Sequence, residues 1–319
     1  MKKAIYLLLT CITSGLFTGC NTKSQTLSPI TEVGTDSITL QKVPEMELWC
    51  SDVMDICDSC LIIADRCQSE KLYIYCLSDF KFIRNMGKSG QGPTDCLFPF
   101  FVKNDISTPN EFTISDASLG KCKKFKLNHN QKDSLIYLVK ETAIHPEILG
   151  STDMTQLANN YYGTQDQMQG LFFIHHLEQD TTEWIPYPNS IPELKEDELK
   201  TTKQSRITVN LKKKRIAAAM RFYNQLFIYD ENGKQLKSKS FGDELIPKIV
   251  NQRIEPSSKI FFGRICSTEQ YIYLILSNQT YRSTHTGDTP PSKIAIFDWE
   301  LNHIRTLQTD QNVYNMLVD

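Results

Sequence analysis

The chain has 319 residues, 40% of them hydrophobic, and carries 35 basic against 37 acidic side chains for a net charge of −2. That balance excludes the dense positive surface that binding a phosphate backbone requires, so no nucleic-acid partner is expected. The apolar fraction excludes general disorder, and the length suits one large β domain or two smaller domains.

The first element in chain order is a leader. Lys2 and Lys3 give a positive start, residues 4–18 are apolar with polar interruptions, and Leu16-Phe17-Thr18-Gly19-Cys20 closes the segment. A membrane span needs about 20 predominantly apolar residues, more than this stretch supplies. Residues 1–19 therefore read as a lipoprotein signal peptide and Cys20 as the residue that takes lipid. Several acyl chains anchor stably, at about 0.8 kcal/mol per buried CH₂, so the membrane is an expected partner through this anchor. Residues 20–37, polar and punctuated by Pro29 and Gly34, read as a lipidated tether, and 38–319 as the folded domain. Removing Lys2 and Lys3 leaves 33 basic against 37 acidic residues in the mature chain.

Ten cysteines are many for an exported protein. Cys11 leaves with the leader and Cys20 takes lipid, so eight remain: Cys50, Cys57, Cys60, Cys67, Cys76, Cys96, Cys122 and Cys266. The spacing of Cys50, Cys57, Cys60 and Cys67 contains a single CxxC, whereas a zinc knuckle pairs two, so zinc is disfavoured. Free thiols acting as small core hydrophobes are the leading reading, with disulfides as the alternative that the periplasm permits.

Beyond the tether a repeat organises the chain. Leu72-Tyr73-Ile74-Tyr75, Leu226-Phe227-Ile228-Tyr229 and Ile294-Ala295-Ile296-Phe297 each lead through a polar turn into a second strand-like run, and an apolar strand precedes each at 61–64, 216–220 and 271–276. Weaker copies pair Phe112-Thr113-Ile114-Ser115 with Lys124-Phe125-Lys126-Leu127, and Leu171-Phe172-Phe173-Ile174 with Glu183-Trp184-Ile185. Recurrence at roughly 45 to 60 residues suits four-stranded blades arranged radially, so the expected fold class is all-β, a single β-propeller. Helix is sparse. Ser190-Ile191-Pro192-Glu193 has capping-box form and predicts a short surface helix over 193–200. Lys212-Lys213-Lys214-Arg215 reads as a solvated hairpin turn, with contact to anionic headgroups or glycan as the sharper alternative.

Gly87-Lys88-Ser89-Gly90-Gln91-Gly92-Pro93, followed by Cys96-Leu97-Phe98-Pro99, resembles the glycine-rich segment of the TolB-like six-bladed propeller lipoproteins of Bacteroidetes. In that family Gly-Glu usually follows the proline, whereas Thr94-Asp95 stand here. Physically, Gly87, Gly90, Gly92 and Pro93 read as a structural connector between blades, where glycine permits positive φ and close backbone approach. A phosphate loop is excluded, because its first glycine position is occupied by Phe82 and no helix pattern follows. The resemblance implies six blades, the last to be assembled from 38–43 and 313–318. The chain stops at Asp319, directly after what reads as a first strand, so that blade is expected to be incomplete at the C-terminus, through a truncated reading frame or a thin closing blade.

Asn21 after the cysteine, where retention in the inner membrane favours aspartate, points to the outer membrane. The absence of an acidic run in 22–28, which resembles the surface-export signal of Bacteroidetes lipoproteins, points to its periplasmic face. Asp36-Ser37-Ile38 resembles the O-glycosylation acceptor of the same phylum, which makes Ser37 a candidate site.

The residues carry no catalytic motif. His129, His145, His175, His176, His285 and His303 show no metal-ligand spacing, and adjacent His175 and His176 point to opposite faces of a strand. No G-x-S-x-G elbow is present. Asp65, Asp116, Asp230 and Asp298 each follow an apolar strand and read as turn caps; gathering around one rim is the alternative. No catalytic, metal or cofactor residue is assigned. The expected function is an envelope-anchored propeller that binds a protein or glycan partner. The alternatives are an enzyme acting on carbohydrate or a related metabolite in the channel, and a truncated inactive paralogue.

Overall fold

The computed structural model describes the chain from residue 34 to 318, apart from 44–47, 104–107, 129–135, 166–168, 192–201, 242–246, 283–289 and a few single positions. Cys20, the tether up to residue 33 and the predicted helix at 193–200 lie outside the described residues.

The first strand, β1 (Thr35–Ile38), is followed by five sheets of one plan. Blade 1 is β2 (Ser51–Cys57), β3 (Cys60–Asp65), β4 (Glu70–Cys76) and β5 (Phe82–Lys88). Blade 2 is β6 (Pro99–Val102), β7 (Glu111–Asp116), β8 (Lys121–Leu127) and β9 (Ile136–Ala143). Blade 3 is β10 (Thr152–Leu157), β11 (Asn160–Thr164), β12 (Phe172–His176) and β13 (Thr181–Ile185). Blade 4 is β14 (Ser205–Asn210), β15 (Arg215–Met220), β16 (Gln225–Asp230) and β17 (Gln235–Ser240). After a two-stranded ribbon of β18 (Ile249–Val250) and β19 (Arg253–Ile254), blade 5 is β20 (Lys259–Ser267), β21 (Tyr271–Thr280), β22 (Lys293–Asp298) and β23 (His303–Thr309). Each blade is an antiparallel meander, and the first strands touch in the order β2, β6, β10, β14, β20, so they are innermost.

The strong repeat copies fall where the sequence puts them, on the second to fourth strands of blades 1, 4 and 5. In blade 2 the pattern is displaced by one strand: 112–115 lies in the second strand and 124–127 in the third. The cause is β8, whose Lys-Cys-Lys-Lys-Phe-Lys-Leu reads as an outer strand, yet Cys122, Lys123, Phe125 and Leu127 are all buried.

Alternation along the middle strands sends side chains to both neighbouring blades. From β15, Ile216, Ala218 and Met220 pack with Phe172 and Ile174 of blade 3, while Ala217 and Ala219 pack with Phe262, Leu274 and Phe297 of blade 5. Three alanines in a row let the blades approach closely. Ile62, Leu72 and Ile74 meet Phe112, Ile114 and Phe125 between blades 1 and 2, and Val102 and Cys122 meet Met154 and Phe173 between blades 2 and 3.

Closure departs from a regular six-fold ring. Among the described residues five blades are complete, and β1 pairs in parallel with β23 as a fifth strand on blade 5, Ser37 opposite Gln308. Between blades 5 and 1 the space is filled by coil: Leu40, Val313 and Met316 pack on blade 5, while Leu48 and Leu317 pack on blade 1. Asn315, Met316 and Leu317 thereby line the channel together with residues of β2 and β20.

The tight inter-blade layer generates a test. Ala217→Leu costs about 1–3 kcal/mol through overpacking, read as a lower urea midpoint at unchanged m-value. Leu236→Ala on exposed β17 shifts stability by less than about 0.5 kcal/mol.

Candidate functional site in the central channel

Turns and connectors divide the disc into two faces. One carries the first-to-second and third-to-fourth hairpins; the other carries the second-to-third turns and the connectors between blades. Asp65 and Asp116 end second strands and lie on the connector face. Asp230 and Asp298 end third strands and lie on the opposite, hairpin face. All four cap backbone rather than share a rim. Asp65 accepts from the amides of Cys50 and Cys67 at 3.0 Å, and Asp116 from Leu97, Phe98, Ser118 and Leu119. Asp230 and Asp298 each accept two amides of their own turns.

The glycine-rich segment leaves β5 on the connector face. Gly87 has φ +79°, and a Cβ there would meet Cys96 Sγ at 2.7 Å. Gly90 and Gly92 face the Asp95 carboxylate, which accepts from the Gly92 amide at 2.9 Å and leaves no room for a methyl group on either glycine. Buried Lys123 donates to the carbonyls of Gly92 and Asp95 at 2.8 and 2.6 Å. The loop is thus closed by Asp95 from within and by Lys123 of β8 from the neighbouring strand.

Cys50 and Cys67 form a disulfide on the same face. Cys57 and Cys60 lie opposite each other in the β2–β3 hairpin at the far end of β3 and face the core, so the four cysteines do not converge. Burial pushes the thiols of Cys57, Cys96, Cys122 and Cys266 up to about 12, which leaves them unreactive near neutral pH. His175 and His176 do point apart: His175 is buried, hydrogen-bonded to Thr182 and stacked on His145, while His176 contacts Asn160. Burial, reinforced by His145, holds the His175 pKa below the usual histidine value. In the Lys212 hairpin, Lys212 pairs with Glu269 and Lys214 with Glu231. Ser37 sits in β1 with an exposed side chain.

Ionisable residues from five blades are gathered in and beside the channel. A cavity of about 80 Å³ is lined by Asp55, Lys103, Thr152, Asp153, Thr155, Arg264 and Asn315 among others. Asp153 has φ 53°, a left-handed conformation in which few non-glycine residues rest. Its carboxylate accepts from Arg264 Nη1 at 2.7 Å and lies 3.5 Å from Arg206 Nη1, which also donates to Thr152 Oγ1 at 3.2 Å. Asp55 lines the channel yet is surrounded by protein. Burial raises its pKa to about 6, against the opposing pull of Lys103 and a hydrogen bond from the Ile56 amide. At the mouth, the Arg66 guanidinium lies 4.2 Å from the centroid of Phe98 and 5.2 Å from that of Phe100, and these rings meet edge to face at 5.4 Å. Phe98 is 40% exposed, with exposed Leu97 beside it.

None of these channel and platform residues carries a local signal. Asp55, Lys103, Asp153, Arg206 and Arg264 come one from each innermost strand or its end, and spacing of that order has no motif. The one trace was aromatic: Phe98-Pro99-Phe100-Phe101 directly after the glycine-rich loop.

The raised Asp55 pKa fixes a pH dependence. A carboxyl whose folded pKa exceeds its unfolded value of 3.8 stabilises the fold fully below pH 3.8, and that contribution is lost as pH rises through about 6. Asp55→Asn should therefore raise unfolding free energy near pH 8 by about 1–3 kcal/mol and leave it nearly unchanged near pH 4, measured by urea denaturation at both values.

Comparison with known proteins places this architecture. Residues 44–319 match the model of the TolB-like 6-blade propeller-like family. A member of the DUF4221 family from Bacteroides vulgatus has a similar structure at 12% identity and TM-score 0.58, over 83% of this chain and 83% of that one. A protein from Bacteroides fragilis is similar at 14% identity and TM-score 0.50, over 86% of this chain and 80% of its own. At these identities the likeness is one of fold. No curated protein matches the sequence. With an all-β radial architecture and a family match over most of its length, the chain belongs to the TolB-like 6-blade propeller-like family.

Proposed function

We propose that this protein is a lipid-anchored envelope lipoprotein, held by Cys20 at the periplasmic face of the outer membrane, whose connector face binds a protein or glycan partner without catalysis. The observation that carries the binding role is the platform of Arg66, Phe98 and Phe100 at the channel mouth. Arginine and aromatic side chains dominate the energetics of recognition surfaces, because they bury large area at low entropic cost and keep a polar edge. An exposed Phe98 ring on a blade connector tied down by Asp116, backed by the half-buried Phe100 of β6, suits that role. The leader and cysteine at 16–20 support the anchor.

A second reading, chemistry on a carbohydrate in the channel, is favoured by Asp55, whose pKa of about 6 lies in the range of a general acid. It lacks a free partner among the described carboxylates of the channel, since Asp153 is already neutralised by Arg206 and Arg264.

Two measurements test the leading reading. Cys20→Ala is expected to move the protein from the membrane to the soluble periplasmic fraction; retention in the membrane would refute the anchor. A photo-crosslinking amino acid at Leu97 is expected to give a discrete adduct in cells that the same probe at Phe82, on the outer edge of blade 1, does not. Phe98→Ala or Arg66→Ala should weaken that adduct about tenfold or more. Equal adducts from both positions would defeat the connector face as the binding surface.

A further inference from the structure

The basic turn that stands out in the sequence is answered by acids, since Lys212 pairs with Glu269 and Lys214 with Glu231. A cluster of unanswered cations lies elsewhere. The chain that runs from blade 4 to blade 5 forms the β18–β19 ribbon, in which Ile249 stands opposite Ile254 and Val250 opposite Arg253. Alternation gives the ribbon two sides. Ile254 is buried in the layer that holds Phe222 and Tyr223, so Val250 and Arg253 face outward, and Val250 is 54% exposed. On that outer side Lys248 opposes Glu255, whose amide donates to the Lys248 carbonyl at 2.8 Å. Hydrogen bonds bring two more cations to the ribbon. The Arg282 amide donates to the Pro256 carbonyl at 3.0 Å, and Ser258 Oγ, directly before Lys259, accepts from the Lys248 amide at 3.0 Å. Lys248, Arg253, Lys259 and Arg282 are all exposed, and none of their side chains pairs with another described residue. Half-buried Glu255 is the single acid of residues 247–260.

We propose that this ribbon docks the disc on an anionic phospholipid surface, with Val250 entering the headgroup boundary and Lys248, Arg253, Lys259 and Arg282 meeting lipid phosphates. Cations gathered around an exposed apolar tip suit an interfacial segment, because each gains from the negative surface potential while the tip leaves water. The mature chain carries 33 basic against 37 acidic residues, so the attraction is local to the ribbon. The point where the chain enters the fold argues for a membrane as the occupant. The residues that follow Cys20 in sequence join the described fold at β1, on blade 5, and blade 5 also carries Lys259 in β20 and Arg282 just after β21. For the nearness of a membrane the inference rests on the lipid-anchored reading above. Around the ring the ribbon is separated from the Arg66, Phe98 and Phe100 platform by blades 2, 3 and 4 on one side, and by blade 5, the seam and blade 1 on the other. A disc tilted onto the ribbon therefore lifts the platform away from lipid.

The test measures co-sedimentation of the full chain carrying Cys20→Ala, so that no acyl chain contributes, with vesicles of phosphatidylcholine alone and of phosphatidylcholine mixed with phosphatidylglycerol. The uncharged vesicles report whatever the leader adds. Binding is expected at least about tenfold tighter to the charged vesicles, and weaker as salt rises. Adding Lys248→Glu and Arg253→Glu together should cut that binding about tenfold or more, and Arg282→Glu alone about threefold or more, whereas Lys212→Glu on the hairpin face should leave it unchanged. All four side chains project into solvent, so the fold tolerates these changes. Equal binding to both kinds of vesicle, or undiminished binding after Lys248→Glu with Arg253→Glu, would overturn the docking. A loss from Lys212→Glu as large as from the ribbon changes would overturn the ribbon as the contact. Tighter binding of a soluble sulfated polysaccharide than of charged vesicles would overturn lipid as the occupant. The anchor is tested apart from this, since a high-salt wash of cell membranes removes ribbon docking and leaves lipidation as the cause of any retention.

Discussion

Each middle strand of a blade must bury both of its faces, and only the neighbouring blades offer apolar surface on either side. That requirement makes the ring. β15 shows it most plainly: its even positions belong to one inter-blade layer and its odd positions to the next, so removing either neighbour would expose half the strand. Hydrophobic burial at about 25 cal/mol per Å² supplies the drive, and the run of alanines sets how closely the blades stand.

Burying both faces leaves polar backbone to be satisfied at the disc's rims, and the chain does this with single buried charges. Asp116 collects four amides from a connector and a turn, and Asp65 ties the start of blade 1 to the turn that carries Cys67. Lys123 reaches from the third strand of blade 2 to the carbonyls of the glycine-rich connector. An unmet buried donor or acceptor costs about 1–3 kcal/mol, so each of these side chains holds its loop in one conformation. The Arg66, Phe98 and Phe100 platform inherits its rigidity from them, because the amide of Phe98 itself is one of those that Asp116 fixes.

At the centre the same geometry works against neutrality. Innermost strands converge, so side chains far apart in sequence are forced to within a few ångströms in a space too narrow for bulk water. Charges there interact strongly and solvate poorly. Asp153, strained in its backbone and shared by two arginines, and Asp55, held toward its protonated form by burial, are the two consequences. Strain and a perturbed carboxyl concentrated in one cavity mark the region where stability has been given up.

The sequence by itself determined the all-β class, the radial repeat, the two-faced strands of blades 1, 4 and 5, and the turn-capping aspartates. Those features are written in hydrophobic alternation and turn residues within a few positions of each other. It misjudged blade 2 by one strand, because the lysines of β8 look solvent-exposed although Lys123 is buried on backbone carbonyls. Only the tertiary structure decided that coil from both ends of the described chain fills the seam between blades 5 and 1, that Cys50 bonds to Cys67, and that one ionisable residue from each of five blades meets in the channel. Those outcomes depend on contacts between residues from about 53 to 270 positions apart or on cysteines with several available pairings, and no local pattern encodes which distant strand ends will share the axis of a closed ring.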